Sequence, residues 1–436
     1  MTPAARLSAA IEIFASLEET RRPAASVLKE WGQKHRYAGS GDRSAIANLV
    51  YDALRVRASA AWIMGVQEIT PADARAILLG ALRRARGMDG ESIAALCAGD
   101  RFGPAPLSEQ ETTALAADDL SAAPDHVRGD YPQWLDASLA SVFGENRVAE
   151  CAAMAARAPV DLRVNLIKGE PAAALKQLDH LPVAPSPLSP WGLRIEVGAD
   201  GRGPALQGEP AWARGFVEVQ DEGSQLTALL SGAQPGWQVL DLCAGAGGKT
   251  LALSAMMENR GQIFATDRDG RRLMPIYDRL ERAGARNVQV RAPKGERDVI
   301  GDLDGQCDLV FVDAPCTGSG TWRRNPDAKW RIRPGALAER LREQDEVLAV
   351  AERYVKPGGR LAYVTCSLLR EENEERVEAF MAARHNFLPL EPAHLARQAN
   401  VEALAEAGSP FGPGLRMTPL RHGTDGFYVC VMLRQG

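Results

Sequence analysis

Residues 238–242 read as an apolar strand that runs without interruption into a glycine-rich turn and then into a helix over 248–257. From residue 236 onward the same alternation repeats. Strands are predicted at 262–266, 288–290, 309–313, 360–365 and 427–432, and helices at 271–283, 336–355 and 371–383. Strands apolar on both faces, separated by helices, imply a parallel sheet covered on each side, an α/β fold. In such a sheet ligands sit at the C-terminal ends of the strands. The chemistry is therefore to be sought in the residues that follow each strand.

The first such segment is Cys243, Ala244, Gly245, Ala246, Gly247, Gly248, Lys249 and Thr250. Its glycines allow close backbone approach, and the helix start favours anionic or polar groups. A nucleotide phosphate would suit the closing Gly-Lys-Thr, but a P-loop needs glycine where Cys243 stands. An adenosine cofactor requires an acid at the end of the next strand, to hold ribose hydroxyls. Asp267 fills that place. An ordinary tight turn with no ligand is the bland alternative.

Two further strand ends carry cysteine. Asp313-Ala314-Pro315-Cys316 follows one apolar strand and Thr365-Cys366-Ser367 follows another. If these strands are neighbours, both thiols face one crevice beside the cofactor. Free cysteine is ordinarily a small buried apolar residue, and that reading serves Cys97, Cys151, Cys243, Cys307 and Cys430. After Cys316 comes a loop holding Trp322, Arg323, Arg324, Lys329, Trp330, Arg331 and Arg333 against the single acid Asp327. Basic residues interleaved with tryptophan suit phosphates and a stacked base. A solvated charged loop, or a core or hinge role for Trp322, is the plainer reading.

Residues 1–140 read as helical, with Ile46, Leu49, Val50 and Leu54 at helical spacing and Asp42 placed to cap that helix. Residues 101–130 look like a connection or irregular helices. Residues 141–235 read as a small α+β segment, with a helix at 147–156 and strands at 161–167 and 193–197. The expected parts are thus 1–140, 141–235 and 236–436. With 51 basic and 56 acidic residues among 436, the net charge is −5. Nucleic-acid binding must then rest on local basic patches. The seven cysteines form no C-x-x-C pair, which supports neither a disulfide framework nor a metal site. No stretch is apolar enough to cross a membrane, and no leader pattern is present, so a cytoplasmic location and no membrane partner are expected. A monomer is favoured.

Taken together, VLDLCAGAGGKT, DAPCTGSGTWRRNPDAKW, TCSLLREENE and HGTDGFY resemble the RsmB/Nop family of RNA cytosine-C5 methyltransferases. DLRVNLIKG and EVQDEGSQLTALLSG are similar to the segments preceding that family's catalytic domain. GDRSAIANLVYDALRVRASAAWIMG resembles part of a NusB-like helical RNA-binding domain. The resemblance implies a Rossmann-like class I methyltransferase domain, S-adenosylmethionine as cofactor and ribosomal RNA, of the small subunit, as substrate. It implies Cys366 as the nucleophile that adds to cytosine C6 and Cys316 as the group assisting breakdown of the adduct. It also implies Asp313 as hydrogen-bonding to the base and lining the cofactor site. Residues 243–248 with Lys249 would hold the methionine part of the cofactor and Asp267 the ribose. Trp322, Arg323, Arg324 and Lys329 would meet RNA, and the basic loop with a helix after Ser367 would favour the thiolate.

Two departures stand out. Ala246 replaces the family's proline. No acid follows the third strand, so the adenine contact would fall to Glu296 or Asp298. The rivals are a transfer-RNA cytosine methyltransferase, a P-loop NTPase and an RNA-binding assembly factor without activity.

Overall fold

The computed structural model describes residues 1–198, 203–295 and 297–436. They form two contact units. One comprises Met1–Arg157 together with Thr321–Arg333; the other comprises the remaining described residues.

The first unit is built of helices, among them Pro3–Thr20, Ser40–Arg55 and Ala74–Arg86. The predicted apolar stripe is its core: Ile46, Leu49, Val50 and Leu54 are all buried. Asp42 does not cap its helix. Gly39 stands at the N-cap, and Asp42 lies in the first turn, 3.1 Å from the Met1 ammonium and 2.8 Å from Arg6 Nε. Within the stretch expected to be irregular, Glu109–Ala117 is a regular helix, started by reciprocal bonds between Ser108 and Glu111. The loop Thr321–Arg333 belongs to this unit by its side chains. Trp330 packs on the helical core and its Nε1 donates to Leu54 O at 2.7 Å. Lys329 Nζ donates to Arg55 O at 2.8 Å and Asp130 O at 2.6 Å. Asp327 accepts from Ala24 N at 3.2 Å.

The second unit holds two sheets. Strands β1 (Val160–Val164), β2 (Val183–Pro185), β3 (Gly192–Ile195) and β4 (Val217–Val219) form an antiparallel sheet in the order β2-β3-β1-β4. The larger sheet contains β5 (Gln238–Asp241), β6 (Gln262–Ala265), β7 (Val288–Val290), β8 (Cys307–Asp313), β9 (Val355–Thr365), β10 (Phe387–Pro389), β11 (Leu415–Met417) and β12 (Phe427–Arg434). Its order is β10-β12-β9-β8-β5-β6-β7, with β11 paired to β12. The central five strands are parallel and β12 returns antiparallel. The expected α/β class is realised as a Rossmann-like sheet. The order reverses at β5, between β6 and β8, so the crevice opens at the ends of those strands. The helix expected over 271–283 is two, Gly270–Leu273 and Ile276–Ala283, because Pro275 has no N–H to continue the ladder. The small sheet braces the larger one. Arg163 donates to Gly248 O at 2.6 Å and Asn165 Nδ2 to Ala283 O at 2.8 Å.

Candidate active site

Asp313 pairs in register with Val364, so β8 and β9 end side by side. Cys316 and Cys366 follow them and their sulfurs are 3.3 Å apart. That separation is a thiol–sulfur hydrogen bond, well beyond a disulfide. Two sulfur anions cannot coexist so close, so the pair loses its first proton as a unit. The hydrogen bond to Cys366, and then burial, hold the Cys316 thiol well above its ordinary range. Either sulfur can donate in this contact.

Two glycines permit this geometry. Gly320 N donates to Cys366 O at 2.9 Å and its carbonyl accepts from Gly426 N at 2.8 Å. A Cβ on Gly320 would lie 2.1 Å from Gly426 O. Gly247, at φ +81°, packs on Ile276, where a Cβ would come within 2.4 Å of that side chain.

Lys249 Nζ lies 2.7 Å from Asp313 Oδ2 and 5.3 Å from the centre of the Phe427 ring. Burial alone would lower this ammonium, but the charge and hydrogen bond of Asp313 hold it above its ordinary value. Its charge also couples to Cys366. The basic loop's Lys329 is spent on Arg55 O and Asp130 O, and the ammonium paired with Asp313 is that of Lys249. A helix does not begin directly after Ser367: the next α-helix is Glu374–Ala383. Behind Lys249, the Asp241 carboxyl is buried, accepts Thr250 Oγ1 at 2.6 Å through Oδ2, and has no partner for Oδ1. Burial pushes Asp241 up to about 7. Burial likewise raises the Cys243 thiol.

A cavity of about 680 Å³ opens along the ends of β5 and β6, within the range of cofactor sites. Leu242, Pro293, Ile300 and Val347 give it an apolar wall, and Cys243 and Asp267 also line it. Asp267 is buried, accepts Gly245 N at 3.0 Å and stands 3.2 Å from Arg272. These features fit S-adenosylmethionine: an acid for ribose hydroxyls, an apolar wall for a base and, at Asp241 Oδ1, an orphaned buried oxygen for a cationic amine. The sought adenine acid is not supplied by Asp298, which pairs with Arg353 at 3.3 Å and does not line the cavity. Glu296 lies outside the described residues. Ala246 sits on the exposed side of the turn, its carbonyl held by Arg279 at 2.8 Å.

The loop residues expected to meet RNA are placed differently. Trp322, Arg323 and Lys329 are buried. Lys329 is committed to two carbonyls, and its ammonium is pushed down to about 8 by burial. Lys329, buried with its ammonium on two carbonyls, takes a core role rather than a phosphate, and Trp322 is buried with its indole N–H unpartnered. Arg324 is only partly buried. Sequence reasoning passed over Glu372, whose carboxylate accepts from Thr317 beside Cys316. The run of acids after Cys366 was its only signal.

Residues 228–433 match the family model of the 16S rRNA methyltransferase RsmB/F, and residues 131–200 that of an RsmF/B-like ferredoxin-like domain. Ribosomal RNA small subunit methyltransferase B of Sodalis glossinidius is 34% identical over 335 residues, which cover 75% of this chain and 70% of that protein. The chain belongs to the RsmB/F methyltransferase family. The protein of that name from Salmonella typhi is 31% identical over 307 residues, 70% of this RsmB/F chain and 66% of the relative. The crystal structure of PH0851 covers 99% of both chains with a TM-score of 0.73 and 25% identity. This RsmB/F member is an S-adenosylmethionine-dependent RNA methyltransferase. Family membership sets aside the NTPase reading, and Thr250, bonded to Asp241, is turned away from a phosphate.

Proposed function

We propose that this enzyme methylates C5 of a cytosine in small-subunit ribosomal RNA through a covalent bond between Cys366 and C6. The observation that carries the reading is the sulfur pair, 3.3 Å apart at the ends of adjacent strands. The substrate follows from the names of the relatives, which act on ribosomal RNA of the small subunit.

Cytosine C5 is a poor nucleophile. Addition of the Cys366 thiolate to C6 moves the C5=C6 electrons onto C5. S-adenosylmethionine, when bound, supplies an electrophilic methyl group. Asp313, held by Lys249, hydrogen-bonds the base at N3 and its neighbouring exocyclic group as the thiolate adds. Loss of the C5 proton then restores the double bond and expels Cys366 as a thiolate, a step that Cys316 assists. Asp267 holds the ribose, the 243–248 turn holds the methionine portion, and the Leu242, Pro293 and Ile300 wall takes the base of the cofactor. A target cytosine is reached more cheaply in a single-stranded loop than by flipping from a duplex, which costs a few kcal/mol. The helical unit, similar to a NusB-like domain, holds RNA, with Arg324 as the loop's contact. The enzyme works in the cytoplasm, where its substrate is made.

The test is a methyl-tritium transfer assay on RNA paired with denaturing gels. Cys366→Ala is expected to abolish transfer while cofactor binding persists. Cys316→Ser is expected to leave the protein covalently attached to RNA. Full activity in the first variant, or no adduct in the second, removes the mechanism.

A further inference from the structure

The Cys316 loop and the segment after Cys366 are joined through one carboxylate. Glu372 is fully buried. Its Oε1 accepts Thr317 N at 2.8 Å and Gln344 Nε2 at 3.0 Å, and its Oε2 accepts Thr317 Oγ1 at 2.5 Å. Gln344 Nε2 also donates to Pro315 O at 2.8 Å, which fixes the amide's orientation, since a carbonyl only accepts. Each of these contacts at Glu372 thus comes from a donor; burial raises this carboxyl above its ordinary range, and the donors favour its ionised form against that. The Glu372 carbonyl accepts Tyr363 Oη at 2.7 Å, anchoring the residue to β9. Thr317 immediately follows Cys316, and Glu372 lies six residues beyond Cys366.

We propose that Glu372 is a positioning residue with two effects: it ties the two cysteine-bearing segments into one rigid pair, and its negative charge keeps Cys316 a thiol so that the anion forms on Cys366. The charges around the pair are arranged in that sense. Glu372 bonds both the N–H and the hydroxyl of Thr317, the residue after Cys316, with the Tyr363 phenol on its own carbonyl, while Lys249 sits on Asp313 at the end of β8. A negative charge raises the cost of a neighbouring anion and a positive charge lowers it. A reversed order would put the anion on the sulfur assigned to release the product and leave the attacking sulfur protonated. The inference rests on the proposed roles of the two cysteines only for its catalytic meaning; the order of ionisation stands or falls separately.

That order is read on the full-length protein, without RNA or cofactor, by iodoacetamide labelling across pH with peptide mass spectrometry. In the native protein Cys366 is expected to label with the lower pH midpoint. Glu372→Gln keeps the shape and removes the charge, so the Cys316 midpoint is expected to fall by about one pH unit. Glu372→Asp keeps the charge and should leave the order unchanged. Thr317→Ala removes a hydrogen bond that disperses the carboxylate charge and should move the Cys316 midpoint up, giving an independent reading if Glu372→Gln does not fold. An unchanged or rising Cys316 midpoint in Glu372→Gln, or an unchanged or falling one in Thr317→Ala, overturns the proposal. Loss of methyl transfer in Cys366→Ala with no labelling order in the native protein would separate the two readings.

Discussion

Cys316 Sγ and Cys366 Sγ face each other across 3.3 Å, carried by two parallel strands in direct register. Thiols this near are poised for oxidation. Diamide takes up two electrons and both thiol protons, leaving a disulfide between them. The expected result is a mass decrease of about 2 Da and loss of methyl transfer, both reversed by dithiothreitol. Cys316→Ser should show no such decrease. Retained activity in the oxidised protein would mean that neither sulfur is needed.

Asp241 gives a pH test of cofactor binding. Its carboxyl, pushed up to about 7 by burial, is part-protonated near neutrality, and its Oδ1 has no partner. A cationic amine favours the ionised form, so binding releases a proton and tightens as pH rises. Below about pH 7 the affinity should fall by up to about tenfold per pH unit. Without ligand the sign is the opposite: an acid with a raised folded value adds stability as pH drops from 7 towards its ordinary 3.8. Calorimetric titration of S-adenosylmethionine at pH 6 and 8 checks the first statement, and Asp241→Asn should flatten the dependence.

Lys329 is a stability residue. Lys329→Met leaves Arg55 O and Asp130 O buried without their donor, at a cost of about 1–3 kcal/mol each. Its ammonium, pushed down to about 8, binds fewer protons folded than unfolded between there and its ordinary 10.5. Native stability should therefore gain a rising contribution across that window, absent in the variant. Urea denaturation at pH 8 and 10 measures both effects.

Gly320→Ala should damage the site without touching a sulfur. The added carbon meets a carbonyl oxygen of the backbone at 2.1 Å, and neither chain segment has a side chain to move aside. Overpacking of this kind costs about 1–3 kcal/mol. Thermal melting should show the loss, and labelling of Cys366 should lose its preference over Cys316.

The catalytic sheet was legible because both its strands and its glycine-rich turn are local signals. Asp267 in the cavity wall and the buried stripe through Ile46 and Leu54 follow from pattern and spacing, whereas the adjacency of the two cysteine strands was only a condition until the sheet order supplied it. What sequence could not supply was the direction of charged side chains. Lys329 and Arg324 are equivalent in a list of basic residues, yet one is sealed among carbonyls and the other is partly open. Glu372 was one of four acids in the five residues 371–375, and only the tertiary path of the Thr317 loop singles it out. The short strands at 183–185 and 415–417 have too few residues to show a period. At 193–197 the strand was recognised but begun one residue late and ended two residues late, with Gly192–Ile195 observed.

The loop Thr321–Arg333 begins five residues after Cys316 in the chain but is anchored by Trp330 and Lys329 in the helical unit. Modular exchange is constrained accordingly. A chimaera that borrows its N-terminal helices from a relative must also borrow this internal stretch, and a truncated catalytic half would expose an indole and an amine built for a shell it no longer has. The two units are therefore expected to have been inherited and to diverge as one piece.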